Sequence, residues 1–248
     1  MPIAPGLQLY SLREFPPLDD RLKELAELGY RKVEPYGALM PDPAGLAASI
    51  KRFGLTSPTA HIGLDRFRAG IDDVLKIADT LELEVLVIPF LQPGDRPADV
   101  PGWMRVAAEI AGYAVKVKSA GKRLAWHNHD FEMLQLPDGS RPMEHLLAAD
   151  DDVLWECDVA WVVRGGEDPT DWIQRYPERI VAAHVKDIDT NRNNGEDGWA
   201  DVGYGMLDWG LIVPALEKAG TEHWIAEHDK PSDGHRFAAR SIKTMQSW

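Results

Sequence analysis

The sequence predicts an α/β fold, a single (β/α)8 TIM barrel that spans residues 1–248 as one domain. Eight short, nearly continuous apolar runs alternate along the chain with longer segments whose apolar residues lie three and four apart. Apolar runs of this kind are typical of parallel strands that are covered on both faces. Eight strand–helix units in about 250 residues match a closed barrel, and no linker rich in Pro, Gly or Ser divides the chain.

Each element is placed by its pattern. The predicted strands cover residues 6–11, 32–37, 57–63, 84–90, 122–129, 153–160, 180–188 and 223–229. The predicted helices cover residues 19–29, 43–54, 70–82, 103–121, 143–149, 170–177 and 207–220, and a last helix runs through 235–248. Several helices end in a glycine, which is typical of a helix that leads into a strand. The long polar segment 191–208 predicts a functional loop after the seventh strand.

Charge and composition restrict the classes of partner. The chain has 40 acidic residues against 27 Lys and Arg, a net charge of −13, which argues against nucleic acid as the main partner. The one cysteine, Cys157, permits no intrachain disulfide. The N-terminus lacks the pattern of a signal peptide, and no run approaches 18 apolar residues. We therefore expect a cytoplasmic protein with no membrane partner that acts on a small molecule, alone or as a homo-oligomer.

Polar side chains stand at the carboxyl ends of the predicted strands, where a barrel gathers its active-site residues. In chain order they are Tyr10, Ser11, Glu34, His61, His127, His129, Asp158, His184, Lys186, Asp187, Glu227 and His228. Side chains two apart on a strand share a face, so His127 and His129 are expected to face the mouth together. We therefore expect these strand ends to form one shared site.

A metal site is predicted at three neighbouring strands. Asp158, His184 and Glu227 offer oxygen and nitrogen ligands, a mixture that suits Zn²⁺, Mn²⁺, Co²⁺ or Fe²⁺ better than Ca²⁺. A further ligand is expected from the fifth strand. Two structural alternatives stay open, because Asp158 is also placed to cap the segment that follows it and His184 is also placed to be a core histidine.

For the other candidate residues, a purely structural role is an alternative to a role in the site. His61 is either a buried structural histidine or part of the site, and Glu132 either begins a solvated loop or takes part in chemistry. Glu34, at the end of a buried strand, is costly unless it is paired, which favours a role in the site. Among the nine tryptophans, Trp126, Trp161 and Trp199 are candidates to line a sugar-binding cleft.

The chain resembles a known family along its whole length. The segments that carry the likeness are VEPYG, AHIGLD, LAWHNHDFE, ECDVAW, AAHVKDID, DVGYGMLDW and WIAEHDKP, in that order. They resemble the xylose isomerase-like TIM barrel superfamily of sugar phosphate isomerases and epimerases, also known as AP endonuclease family 2-like. This superfamily also contains inosose dehydratases, tagatose-type epimerases and endonuclease IV.

The resemblance implies one divalent metal ion, bound by Glu, Asp, His and Glu from the fifth to the eighth strand. Asp158, His184 and Glu227 match the last three ligands, while His127 stands where many members have the first Glu. The ion is then held by His127, Asp158, His184 and Glu227, unless Glu132 folds back to bind it or the site is lost. The resemblance also implies a substrate-binding role for Glu34, His61 and Lys186.

The expected chemistry moves a proton next to a sugar carbonyl. A metal ion on the carbonyl and hydroxyl oxygens stabilises the enediolate that forms, and a carboxylate or imidazole carries the proton. We expect Glu34, His129, Glu132 and Glu227 as catalytic residues and His61, Lys186 and Trp126 as substrate-binding residues. The substrate is a sugar or sugar phosphate, and the reaction is an isomerisation or epimerisation.

Three rival functions remain. A lyase or hydrolase that acts on a keto-sugar or keto-cyclitol would use the same metal ion. Cleavage of abasic DNA by an endonuclease IV-like enzyme disagrees with the net charge of −13. A metal-free, sugar-binding or regulatory barrel gains support from His127 at the position of the first Glu.

Overall fold

The computed structural model describes residues 3–248, in which eight parallel strands form the wall of a barrel, and the predicted fold class is confirmed. The barrel strands, numbered in chain order, are β1 (Pro5–Gln8), β2 (Lys32–Glu34), β3 (Thr59–His61), β4 (Val85–Ile88), β5 (Arg123–His127), β6 (Val153–Asp158), β7 (Ile180–Val185) and β8 (His223–Ala226). Each ends before the run predicted for it, because the chain turns early into the loops at the carboxyl ends.

The strands lie in the order β2–β1–β8–β7–β6–β5–β4–β3, and hydrogen-bonded neighbours are parallel. The remaining pair, β2 and β3, meets only at isolated bridges between Lys32 and Thr56 and between Tyr36 and His61. We call this junction the β2–β3 seam. The barrel is therefore nearly closed, and its weakest backbone pairing lies at the seam.

Ten α-helices occur within residues 3–248. They are α1 (Leu18–Leu28), α2 (Pro43–Arg52), α3 (Leu64–Ala69), α4 (Ile71–Thr80), α5 (Val100–Ser119), α6 (Pro142–Ala148), α7 (Val159–Arg164), α8 (Pro169–Arg175), α9 (Trp209–Ala219) and α10 (Gly234–Met245). Eight of them coincide with predicted helices. The helices α3 and α7 were not predicted. Each has only six residues, and so short a helix shows little periodicity in its apolar residues.

The predicted strand 153–160 was wrong at its end. The structure ends β6 at Asp158 and begins α7 at Val159. Asp158 Oδ1 accepts a hydrogen bond from the backbone N–H of Trp161 at 2.9 Å, and this bond caps the first turn of the helix. The capping alternative for Asp158 is therefore confirmed for one of its two oxygens.

The two faces of the strands meet different surroundings. Trp126 of β5 and Trp155 of β6 face outward and are fully buried in the main core. On the inner face, Val85, Val87 and Ala125 belong to a separate small apolar cluster. Polar side chains follow this cluster towards the carboxyl ends, so the barrel interior changes from an apolar floor to a polar mouth.

The cysteine and the lengths of the helices were also considered in the sequence. Cys157 is buried and free, on the face opposite to its neighbour Asp158. Across residues 3–248, the helices are all too short or too polar to cross a bilayer.

Candidate active site

A cavity of about 590 Å³ opens at the carboxyl ends of the strands. Four aromatic rings line it, those of Tyr10, Tyr36, Phe90 and Trp161. The polar lining comprises Gln8, His61, Asp65, Arg68, Gln92, Asp95, His127, His129, Glu227 and Asp229. Rings beside several hydrogen-bonding groups are typical of a pocket for a small polar molecule.

Asp158, His184 and Glu227 come together as predicted, and we call them the aspartate cluster. All three are buried, and one ligand atom from each lies within 4.8 Å of the others. Asp158 Oδ2 and His184 Nδ1 are 3.9 Å apart, and neither atom has a hydrogen-bond partner in the structure. Buried polar atoms without partners are rare. A divalent cation between these atoms would satisfy both, so the donor set fits a metal ion.

Lys186 stands beside this cluster rather than in the cavity wall. Its ammonium group is fully buried, 2.8 Å from Glu227 Oε2 and 2.5 Å from Asp229 Oδ2. Burial alone would lower the pKa of Lys186, but Asp229 and Glu227 raise it above its ordinary value. Lys186 therefore remains charged and contacts two carboxyl groups, and it is not among the residues that line the cavity, although it was predicted to bind substrate.

Electrostatics in the aspartate cluster favour neutral carboxyl groups unless a cation arrives. Burial raises the pKa of Asp158 to about 7, against the opposing effect of Lys186. Burial, followed by the nearby carboxylate of Asp229, raises the pKa of Glu227 to about 8. Burial alone would raise the pKa of Asp229, but Lys186 lowers it, so Asp229 is the carboxylate that balances the lysine charge.

A second group of side chains that could bind a metal ion also includes His184, and we call it the histidine cluster. It consists of His61, His127, Glu156 and His184, all buried, with one ligand atom each within 4.8 Å of the others. His61 Nε2, His127 Nδ1 and His184 Nε2 lie 2.6, 3.1 and 3.3 Å from Glu156 Oε2. Glu34 Oε1 joins from β2, 2.7 Å from His184 Nε2 and 3.1 Å from His61 Nε2.

The protons in the histidine cluster divide unevenly. Burial alone would lower the pKa of His61, but the carboxylates of Glu34 and Glu156 raise it to about 10. Burial lowers the pKa of His127 well below its ordinary range, and the neighbouring imidazoles lower it further. Burial lowers the pKa of His184 to about 4, against the opposing effect of Glu34. At neutral pH, His127 and His184 are therefore uncharged imidazoles, the form that binds metal ions.

The predicted four-ligand set does not form a single cluster. Asp158, His184 and Glu227 group together, whereas His127 groups with His61 and Glu156. His184 is common to both groups, because its Nδ1 points towards Asp158 and its Nε2 towards Glu34 and Glu156. Glu156 was missed in the sequence, although it lies two residues before Asp158 and therefore faces the same side of β6.

Trp126 is not where the prediction put it. Its side chain is fully buried on the outer face of β5, because His127, one residue later, faces inward. The Trp126 indole N–H donates to Glu132 Oε1 at 3.0 Å, and the backbone N–H of His129 donates to Glu132 Oε2 at 2.8 Å. Burial raises the pKa of Glu132 to about 8. Both oxygens of Glu132 are therefore engaged below the loop, and neither residue lines the cavity.

Of the four predicted proton-transfer residues, two reach the cavity. His129 and Glu227 line its wall, while Glu34 and Glu132 lie beneath it at 0% exposure. Burial lowers the pKa of His129 to about 3, and its Nδ1 has no hydrogen-bond partner in the structure. His129 is therefore a neutral imidazole, and its ring lies at the cavity wall.

The loop after β7 is anchored by one carboxylate. Asp187 accepts hydrogen bonds from the Trp209 indole and from four backbone N–H groups, those of Ile188, Gly203, Gly205 and Leu207. A side chain on Gly205 would meet Asp187 Oδ1 at 2.2 Å. The second glycine of the GYG segment, Gly205, is therefore required by the close approach of the loop to this carboxylate, whereas a side chain on Gly203 would meet Thr244.

Comparison with known proteins agrees with this architecture. A family model described as a xylose isomerase-like TIM barrel matches residues 22–248. The inosose dehydratase of Lacticaseibacillus casei is 26% identical over 153 residues, which are 54% of this chain and 50% of that protein. The match thus spans about half the length of this curated relative.

Solved structures are similar over nearly the full chain. A sugar phosphate isomerase/epimerase from Parabacteroides distasonis ATCC 8503 has a TM-score of 0.84 at 22% identity, covering 98% of this chain and 93% of that one. The IOLI protein, crystallised with a zinc atom, has a TM-score of 0.74 at 13% identity and covers 99% and 97% of the two chains. At these identities the likeness shows the fold alone.

Proposed function

The chain belongs to the xylose isomerase-like TIM barrel family, and we propose that it is a metal-dependent isomerase or epimerase of a sugar or sugar phosphate. One observation carries the proposal. Two buried ligand atoms without partners, Asp158 Oδ2 and His184 Nδ1, face each other beside Glu227, which lines the cavity. We also propose that the protein is cytoplasmic and that residues 1–248 form a single domain.

Asp158, His184 and Glu227 would hold the ion, which we expect to be Zn²⁺, Mn²⁺, Co²⁺ or Fe²⁺. Such an ion supplies stabilisation of negative charge on the carbonyl and hydroxyl oxygens of a bound sugar. Lys186 and Asp229 position Glu227 through the 2.8 Å and 2.5 Å contacts of the ammonium group. Glu34 positions His184, because a carboxylate on one ring nitrogen fixes which nitrogen is free to bind metal.

The cavity residues bind and orient the sugar and move its proton. Tyr10, Tyr36, Phe90 and Trp161 offer rings for the apolar faces of the sugar, and His61 offers a polar contact. We assign proton transfer to Glu227 and His129, the two predicted candidates that reach the cavity. One of them takes the proton from the carbon next to the carbonyl. The same proton then returns to the neighbouring carbon in an isomerisation, or to the opposite face in an epimerisation.

The experiment compares metal content and turnover of keto-sugars in wild type, Asp158→Asn and His184→Ala. We expect both variants to lose bound metal and at least about 10²-fold in activity. In D₂O, the wild type should place deuterium on the carbon next to the carbonyl. Full metal content in both variants would refute the assigned ligands, and a metal-free wild type that still binds sugar would favour a regulatory barrel.

The match to an inosose dehydratase favours a second candidate, a dehydratase of a keto-sugar or keto-cyclitol. The first step is the same, but a β-hydroxyl then leaves as water. Mass spectrometry of the product separates the two reactions, because isomerisation conserves the mass of the substrate and dehydration lowers it by one water.

A further inference from the structure

The histidine cluster lies beside buried carboxyl oxygens that the proposed function does not use. Glu34 and Glu156 are both at 0% exposure. Their charged contacts within residues 3–248 are imidazoles, without a lysine or arginine. Glu34 Oε2 and Glu156 Oε1 are also buried without a hydrogen-bond partner. Buried polar atoms are rarely left without a partner, so these two oxygens point to a bound ligand.

The cluster has the spacing of a metal site. The three imidazole nitrogens lie 2.6, 3.1 and 3.3 Å from Glu156 Oε2. In a tetrahedral site with metal–ligand distances of about 2.0–2.1 Å, neighbouring ligand atoms are about 3.3 Å apart. Small side-chain movements would therefore bring the four atoms around one ion.

We propose that the histidine cluster is a second divalent-cation site, bound by His61, His127, His184 and Glu156. Three imidazoles and one carboxylate suit Zn²⁺, Co²⁺ or Fe²⁺ and disfavour Ca²⁺ and Mg²⁺. His61 and His127 line the cavity, so an ion has a path into the site. The site goes beyond the proposed function and shares with it His184 and the cavity residue His61.

His184 links the two sites through its two ring nitrogens. Nδ1 points towards Asp158, and Nε2 points towards Glu34 and Glu156. An ion bound at Nε2 would take the place of the contact that Glu34 Oε1 now makes with this nitrogen.

The test counts metal ions per chain. The full-length wild type is loaded with Co²⁺ or Zn²⁺, dialysed and measured by inductively coupled plasma mass spectrometry. We expect two ions in the wild type, one in Glu156→Gln and one in Asp158→Asn. Glu132→Gln is the matched control, because Glu132 is a carboxyl group at 0% exposure outside both clusters, and we expect it to keep two ions.

His61→Asn is the second variant, because His61 lies at the cavity wall and its replacement disturbs the core less than that of Glu156. It should also bind one ion. A wild type with one ion, or equal counts in wild type, Glu156→Gln and His61→Asn, would overturn the second site. If instead only Asp158→Asn leaves the count unchanged, the second site stands and the proposed ligand set for the first fails. A wild type that binds no ion overturns both.

Discussion

Asp158 serves two functions with one carboxyl group. Its Oδ1 caps α7 through the backbone N–H of Trp161, and its Oδ2 faces His184 Nδ1 without a partner. Asparagine and alanine separate these functions, because an Asn side chain still offers a capping oxygen but puts an amide group in place of the metal-binding oxygen.

We predict that Asp158→Asn and Asp158→Ala lose metal equally but differ in stability. In the presence of a chelator, the alanine variant should be less stable than the asparagine variant by about 1 kcal/mol, the usual contribution of an N-terminal cap. Urea unfolding measures the difference. Equal free energies of unfolding would show that the cap contributes nothing.

Glu132 was expected in the chemistry, and its surroundings instead predict a role in holding the loop after β5. Glu132→Gln turns one accepting oxygen into an amide that cannot accept from the His129 N–H. We predict a loss of about 1–3 kcal/mol in the free energy of unfolding at pH 5. A variant as stable as the wild type at that pH would contradict this.

The pH dependence of this difference follows from the pKa of Glu132. Burial raises it from 4.5 to about 8 in the folded chain, so the folded state binds the proton more tightly than the unfolded state. Its stabilising contribution is complete below pH 4.5 and is lost as the pH rises through 8. The glutamine variant does not titrate, so its deficit relative to wild type should be smaller at pH 9 than at pH 5.

The wrongly predicted residues are of the same chemical types as the correctly predicted ones. They differ in how far below the mouth of the barrel their side chains lie. Alternation along β6 places Glu156 on the same face as Asp158, and this signal was present in the sequence. The same alternation argued against Trp126, which precedes the inward-facing His127. Depth below the mouth is not encoded in alternation, which is why Glu34 and Glu132 looked equivalent to Glu227.

At the scale of elements, the loop after β7 depends on Asp187. Five donors converge on its two oxygens, from Ile188 at the start of the loop to Trp209 in α9. The sequence predicted a functional loop here from its length and polarity. The role of Asp187 in holding the loop was not predictable. Hydrogen bonds to backbone N–H groups do not depend on which residue donates them, so only the glycines of the loop are a sign of them in the sequence.

We predict that Asp187→Asn destabilises this loop, because an amide nitrogen cannot accept the hydrogen bonds made to the oxygen it replaces. The expected loss is on the order of 3 kcal/mol, since each lost hydrogen bond to a charged group contributes about 1.5–3 kcal/mol. Limited proteolysis should cut within residues 190–206 at least about tenfold faster than in wild type. Asp189→Asn is the control, because Asp189 is in the same loop and its oxygens accept only from Asn191 and Asn194.

At the scale of the whole molecule, metal binding should stabilise the fold, because a ligand of the folded state shifts the unfolding equilibrium. At an ion concentration of one hundred times Kd, the gain is about 2.7 kcal/mol. For a chain of this length, we predict that Tm rises by about 5–10 °C when the chelator is replaced by Zn²⁺. The double variant with Asp158→Asn and Glu156→Gln should show no rise, and an unchanged Tm in wild type would contradict the prediction.

The barrel itself was predictable because its signals repeat eight times. Errors at single boundaries, such as the end of β6, do not alter the alternation of strand and helix that specifies the architecture. The seam was not predicted, although the runs that became β2 and β3 are the least apolar of the eight. Both observed strands have only three residues, and their length is settled by the loops that follow.

The β2–β3 seam also lies between Glu34 and His61, a residue of the histidine cluster. Glu34 ends β2 and His61 ends β3, and their side chains meet 3.1 Å apart where the backbone ladder is interrupted. The proposed ligands of the second ion lie on β3, β5, β6 and β7, so an ion held by His61 would tie the β3 side of the seam to three other strands of the barrel wall. Amide hydrogen exchange at the backbone N–H of His61 should then slow on metal loading more than exchange at Val33 of β2, a strand that supplies no ligand.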